Sequence, residues 1–145
     1  MSVVIKQFHG WFYFLSGNEG LLKRSQCGKW MYFYEASNQR FAKKICKKAI
    51  EENVCFECKC TDIARVKSAT GVVCFYTNGD DINGHNRIIR FMLENDLIKK
   101  TKTGRLYNIS FKYDSQTRLR LYGTSFKGTI KLEDLVDLKT GIMKY

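Results

Sequence analysis

Asp80, Asp81 and His85 are the residues whose types and spacing best fit an enzyme. On a helix, Asp81 and His85 lie four apart and share a face. Such a trio could hold a metal ion, or work as acid and base in a small metal-dependent phosphoesterase or nuclease. Gly79 and Gly84 would let the backbone approach a phosphate. The same residues also read as an ordinary helix start, with Asp81 as the N-cap and His85 on the surface. A second candidate is the run Cys-Phe-Glu-Cys-Lys-Cys, which holds Cys55, Cys58 and Cys60. Cys55 and Cys58 have the spacing of zinc ligands, and zinc takes four of them in a tetrahedron. No second pair follows, so Cys27 or His9 would have to complete the site from afar. On a strand, Cys58 and Cys60 face one way and Cys55 the other, which suits small buried hydrophobes better than ligands. No Ser-His or Cys-His nucleophile pair stands out, and no cofactor is expected. The chain reads as a non-enzymatic protein.

Charge is the stronger signal. With 25 basic and 14 acidic residues the chain carries +11, enough to create a field that draws anionic partners. Lys99, Lys100, Lys102, Arg105, Lys112, Arg118, Arg120, Lys127 and Lys131 crowd the C-terminal half, opposed there only by Asp114. These are the expected nucleic-acid-binding residues. Contacts from them to phosphates would supply salt-dependent affinity for DNA or RNA alike. Tyr107, Tyr113 and Tyr122 interleave with them and could stack on bases. The plainer reading is a set of strand edges protected by lysine. Lys43, Lys44, Lys47 and Lys48 make another basic face, of the kind more often solvated than functional. The aromatic runs from Trp11 to Leu15 and from Trp30 to Tyr34 could form a stacking platform, though aromatics on a sheet are more often core and these alternate on both faces. Gly71-Val72-Val73-Cys74-Phe75-Tyr76 lacks the basic-Gly-aromatic start of the RNA-recognition signature.

These residues need elements to position them. Period-2 patterns predict strands at 11–15 and 29–34. Phe41, Ala42, Ile45, Cys46, Ala49 and Ile50 recur at helical spacing, predicting a helix over about 38–53. Strands are expected over 54–63 and 71–77. A second helix should run from Asp80 or Asp81 to about Asn95, with Ile82, Ile89, Met92 and Leu93 as its buried stripe, widened by Ile88 and Phe91. A strand over 107–113 and short strands near 118–122 and 129–132 complete the pattern. The order strand, helix, strand, strand, helix, strand predicts an α+β fold of the ferredoxin-like, split βαβ kind. Its antiparallel sheet would carry both helices on one face, plus extra strands. The alternative is a winged helix, with residues 97–107 as its wing.

The chain has 145 residues, 44% of them apolar, with 10 Phe, 8 Tyr and 2 Trp, a composition suited to one folded domain over 1–145. The stretch from Val3 to Leu15 is broken by Lys6, Gln7 and His9, so it does not read as a secretory signal. There is no apolar run long enough for a membrane span. A cytoplasmic location is expected, and with it six reduced cysteines.

In cadence, Lys29 to Tyr34, Phe91 to Arg105 and Phe126 to Leu132 resemble small uncharacterised proteins of low-GC Gram-positive bacteria and their phages and mobile elements. The resemblance attaches no activity, but implies one class: phage-type inhibitors of host defence nucleases, anti-CRISPR proteins among them. The expectation is therefore a basic binding module that engages nucleic acid or a nucleoprotein complex. A phage-type inhibitor acting by protein contacts is the alternative within binding proteins.

Overall fold

A two-residue turn joins the first two strands, β1 (Val4–Phe8) and β2 (Trp11–Leu15). Both turn residues have positive φ, 47° at His9 and 85° at Gly10, as a type I′ hairpin requires. The computed structural model describes residues 3–115 and 130–144. After β2 follow β3 (Cys27–Glu35), α1 (Gln39–Glu51), β4 (Glu57–Thr61), the short α2 (Ile63–Val66), β5 (Thr70–Asn78), α3 (Ile82–Glu94), β6 (Ser110–Tyr113) and β7 (Ile130–Lys131). The strands form one seven-stranded sheet in the order β1-β2-β4-β5-β3-β6-β7, with every pairing antiparallel. The protein is thus α+β. Three strands precede the first helix and the strands of the sheet lie between Val4 and Lys131, so a helical bundle with a two-stranded wing does not fit the described residues.

Cross-strand partners share a face of the sheet, so the register sorts the side chains. Phe14, Cys58, Phe75 and Trp30 align on one face, as do Phe12, Cys60, Val73 and Tyr32. Both long helices cover this face. Ala42, Ile45, Cys46, Ala49 and Ile50 of α1 join Ile88, Ile89, Phe91 and Met92 of α3 and Phe111 of β6 in one core. The opposite face carries Trp11, Tyr13, Lys59, Cys74, Tyr76, Lys29 and Lys112. There the loop residue Leu22 makes a smaller cluster with Cys27, Cys74 and Tyr76.

Several expectations need correction. The strand expected over 107–113 begins only at Ser110, because Tyr107 and Ile109 have left the ladder. Ile82 points outward and is 58% exposed, and His85 fills the inward place instead. β1 and α2 carry weak patterns and were not expected. The expected strand near 118–122 lies outside the described residues, and that near 129–132 is β7. Among the described residues no helix is long and apolar enough to cross a membrane.

Candidate nucleic-acid interface

The structure separates the enzyme-like trio. Asp80 is exposed and pairs with Lys23 at 3.7 Å across the surface. Asp81 caps α3: its Oδ1 accepts from the Gly84 N–H at 3.0 Å, and its Oδ2 accepts from the Thr77 hydroxyl at 3.3 Å. His85 is fully buried, which overturns the reading of it as a surface residue. Trp30 Nε1–H donates to His85 Nδ1 at 3.0 Å, and His85 Nε2 lies 2.9 Å from the Gly79 carbonyl. An indole N–H can only donate and a carbonyl can only accept, so the proton sits on Nε2 and the ring is neutral. Burial lowers the His85 pKa and keeps it so. A ring locked between the Trp30 indole and Phe111 cannot reach a substrate beside Asp80.

Cys55 and Cys58 do not assemble a metal centre either. Cys58 and Cys60 point into the core towards Cys46 of α1, while Cys27 lies on the far side of the sheet. Burial, with neighbouring Cys46 and Cys55, pushes the Cys58 thiol well up, so it stays protonated. Among the described residues no three metal-ligating side chains converge.

The basic turn fares differently. After α3, the chain doubles back through an isolated bridge between Lys100 and Leu106. Lys99, Lys100, Lys102 and Arg105 are all exposed there, and Lys131 is exposed on β7. Tyr107 N–H donates to the Lys99 carbonyl at 2.9 Å, which ties the two flanks of the turn together. Beyond it the sheet forks. β3 pairs with β5 along all nine of its residues, from Cys27 to Glu35, but with β6 only at Gly28 and Lys29. Residues 107–109 veer away from β3 and leave a cleft of about 700 Å³, lined by Tyr32, Phe33, Leu97, Ile98, Lys99, Lys100 and Tyr107. Phe33 is 57% exposed and Tyr107 51% exposed. The cleft is thus lined by three aromatic residues, one predicted for stacking and two from the predicted platform, together with two of the predicted lysines. Glu35 and Asp96 also line it. Tyr34 is held in place, donating to the Thr61 carbonyl at 2.8 Å and accepting from Gln39 at 3.0 Å.

Lys112 does not join this surface. It lies on the helix-free face of the sheet, 6% exposed, directly opposite Lys29 in register. Arg118, Arg120, Lys127 and Tyr122 lie outside the described residues. On α1, the Lys43 ammonium sits 4.2 Å from the Phe12 ring centre and Lys48 bonds Asn95 at 2.9 Å, while Lys44 and Lys47 are simply exposed.

The helix-free face holds a second group of side chains that sequence reasoning missed. Lys59 Nζ lies 4.0 Å from the Trp11 ring centre and 5.7 Å from those of Tyr13 and Tyr76. Lys29 Nζ lies 6.0 Å from the same Tyr76 ring and 2.9 Å from Asp114 Oδ1. Desolvation lowers the pKa of Lys59, and the Lys29 charge adds to that. Lys112 is lowered for the same two reasons. Burial raises Glu57. The signal available in sequence was the period-2 placement of Lys29 and Lys59 at inward-reading positions of apolar strands. No protein-family model, curated protein or solved structure matches this chain.

Proposed function

We propose that this protein is a non-enzymatic binding module that engages single-stranded nucleic acid, alone or within a nucleoprotein complex, through the forked cleft and the basic turn beside it. One observation carries the reading: Lys99 and Lys100 line the same cleft as the aromatic residues Tyr32, Phe33 and Tyr107. Cations meet the backbone and rings meet the bases in proteins that hold single strands without sequence preference. The order β4-β5-β3-β6, with α1 and α3 on one face, supports taking 27–113 as a split βαβ unit, which leaves β1, β2 and β7 as extra strands.

The test is a salt titration of binding to single- and double-stranded DNA and RNA. Reversing Lys99, Lys100 and Lys102 to Glu should cut the slope of log affinity against log salt by roughly 2, about 0.7 per lost phosphate contact. Folding stability should barely change, because exposed charges contribute little. A flat salt response, or binding untouched by the reversal, would refute nucleic-acid contact. A second reading, an anti-CRISPR-like inhibitor acting by protein contacts, is favoured by the mixed charge of the cleft, where Glu35 and Asp96 face the lysines, and by the short β3–β6 pairing. That reading predicts the flat response.

A further inference from the structure

We propose that the free edge of β3 at Phe33 and Glu35 pairs, through its backbone N–H and C=O groups, with the Watson–Crick edges of unpaired bases in the strand that the cleft holds. The inference rests on the nucleic-acid reading of the cleft. It adds the part of the ligand that is recognised besides the phosphates, namely bases whose pairing edges are open.

The register decides which way each backbone group points. In an antiparallel pair, residues bonded to the partner strand alternate with residues whose N–H and C=O turn to the other side. Ala36 N–H donates to the Ala69 carbonyl at 2.9 Å, and Gly79 N–H donates to the Gln26 carbonyl at 2.8 Å. Both pairs continue the register of β3 with β5, so the residues of β3 bonded to β5 are the even-numbered ones. The odd-numbered residues face the opposite edge. Lys29 meets Lys112 of β6 there, and the ladder ends. Farther along that edge, Phe33 and Glu35 line the cleft. The Glu35 carbonyl opens the 3-10 turn over Ala36–Asn38, which leaves its N–H. Among the described residues, the Phe33 N–H, the Phe33 C=O and the Glu35 N–H have no hydrogen-bond partner.

Phe33 therefore holds out a donor beside an acceptor, and Glu35 adds a second donor. The pairing edge of every base also carries a donor beside an acceptor, such as N3–H and O4 of uracil or N6–H and N1 of adenine. This edge can hold any base without choosing a sequence. A duplex has already spent those groups on its own pairs, so the edge selects single strands, whose bases can splay out. Leu97 and Ile98 line the same cleft and keep the surroundings of such bonds apolar, which strengthens them. An extended peptide could add to the same edge as a strand. Four exposed basic residues from Lys99 to Arg105, beside the two carboxylates of Glu35 and Asp96, favour a ligand that carries phosphates.

The experiment compares the binding of oligouridine and oligo-N3-methyluridine of equal length to the whole chain, by fluorescence anisotropy over a range of salt. The methyl group leaves the phosphates and the stacking face in place and blocks the pairing edge. The methylated strand should bind wild type about tenfold or more weakly, with the same salt slope. Glu35→Pro removes one donor on the cleft side and leaves the bonds to β5, as proline on an edge strand does. Glu35 has φ −72°, which proline adopts without strain. Against Glu35→Ala, which keeps the N–H, the Pro variant should bind oligouridine about two- to tenfold more weakly. Phe33→Pro against Phe33→Ala makes the same comparison, and serves if the first variant fails to fold. Equal binding of the two strands, or Pro variants that bind like their Ala controls, overturns the inference, while salt-dependent binding in the same titration keeps the cleft reading. If wild type binds neither strand, both readings fall and the edge is left to a protein strand.

Discussion

Replacing His85 with Phe keeps a buried ring of similar size but removes both of its hydrogen bonds. Gly79 is half-exposed, so its carbonyl has water to turn to. The Trp30 N–H cannot, because Trp30 is fully buried and its donor points only at His85 Nδ1. A stranded buried donor costs about 1–3 kcal/mol. With little cavity left behind, the whole loss should be about 2 kcal/mol, or roughly 4–8 °C in Tm for a chain of this size. His85→Ala would add the cost of a cavity between Trp30 and Phe111, about 2–5 kcal/mol more. The assay is urea and thermal unfolding followed by circular dichroism, repeated between pH 5 and pH 7.5. The sign of the pH effect follows from the lowered His85 pKa. As pH falls through about 6.5, the unfolded chain takes up a proton at this residue and the folded chain does not. Wild type therefore loses stability on acidification over that window, and His85→Phe lacks this part of the loss. A Phe variant within about 0.5 kcal/mol of wild type, or one with an unchanged pH slope, would refute the assignment of His85 as a neutral core ring.

Two further outcomes are expected. All six cysteines are free and buried, so an aromatic disulfide reagent should modify none of them in the native protein and all of them in denaturant, and non-reducing mass spectrometry should show no loss of hydrogen; rapid native modification of Cys46, Cys58 or Cys60 would contradict their burial. Gly28→Ala should destabilise by about 2 kcal/mol or more, as overpacking does, since the new methyl would meet the Lys112 carbonyl, the Phe111 ring and the Tyr113 backbone at the only two-residue stretch joining β3 to β6; unchanged unfolding in urea would show that this joint gives way freely.

What the sequence determined by itself was local periodicity and charge. The helical spacing from Phe41 to Ile50 gives α1 within a residue or two at each end, because an apolar stripe of period 3.6 has one way to bury itself. The continuous apolar run from Gly71 to Thr77 gives β5, a strand buried on both faces, and Asp81 declares itself as a cap by its position before an apolar run. The basic residues Lys99, Lys100, Lys102 and Arg105 are exposed as composition and turn chemistry require. Tertiary structure decided the rest. His85 has no sequence mark that separates a surface imidazole from one wedged under an indole; only the approach of β3, which carries Trp30, to α3 makes that choice. Lys112 sits in a basic run like its neighbours, yet the β3–β6 register turns it onto the helix-free face of the sheet opposite Lys29, where it is buried. The cleft at Tyr32, Phe33 and Tyr107 exists because the chain leaves the ladder after two paired residues, and Lys29, Lys59 and Lys112 come to one face because β3 pairs with β6 and only β5 separates it from β4. Such sites are made by long-range strand pairing, and no local pattern encodes which strands will meet.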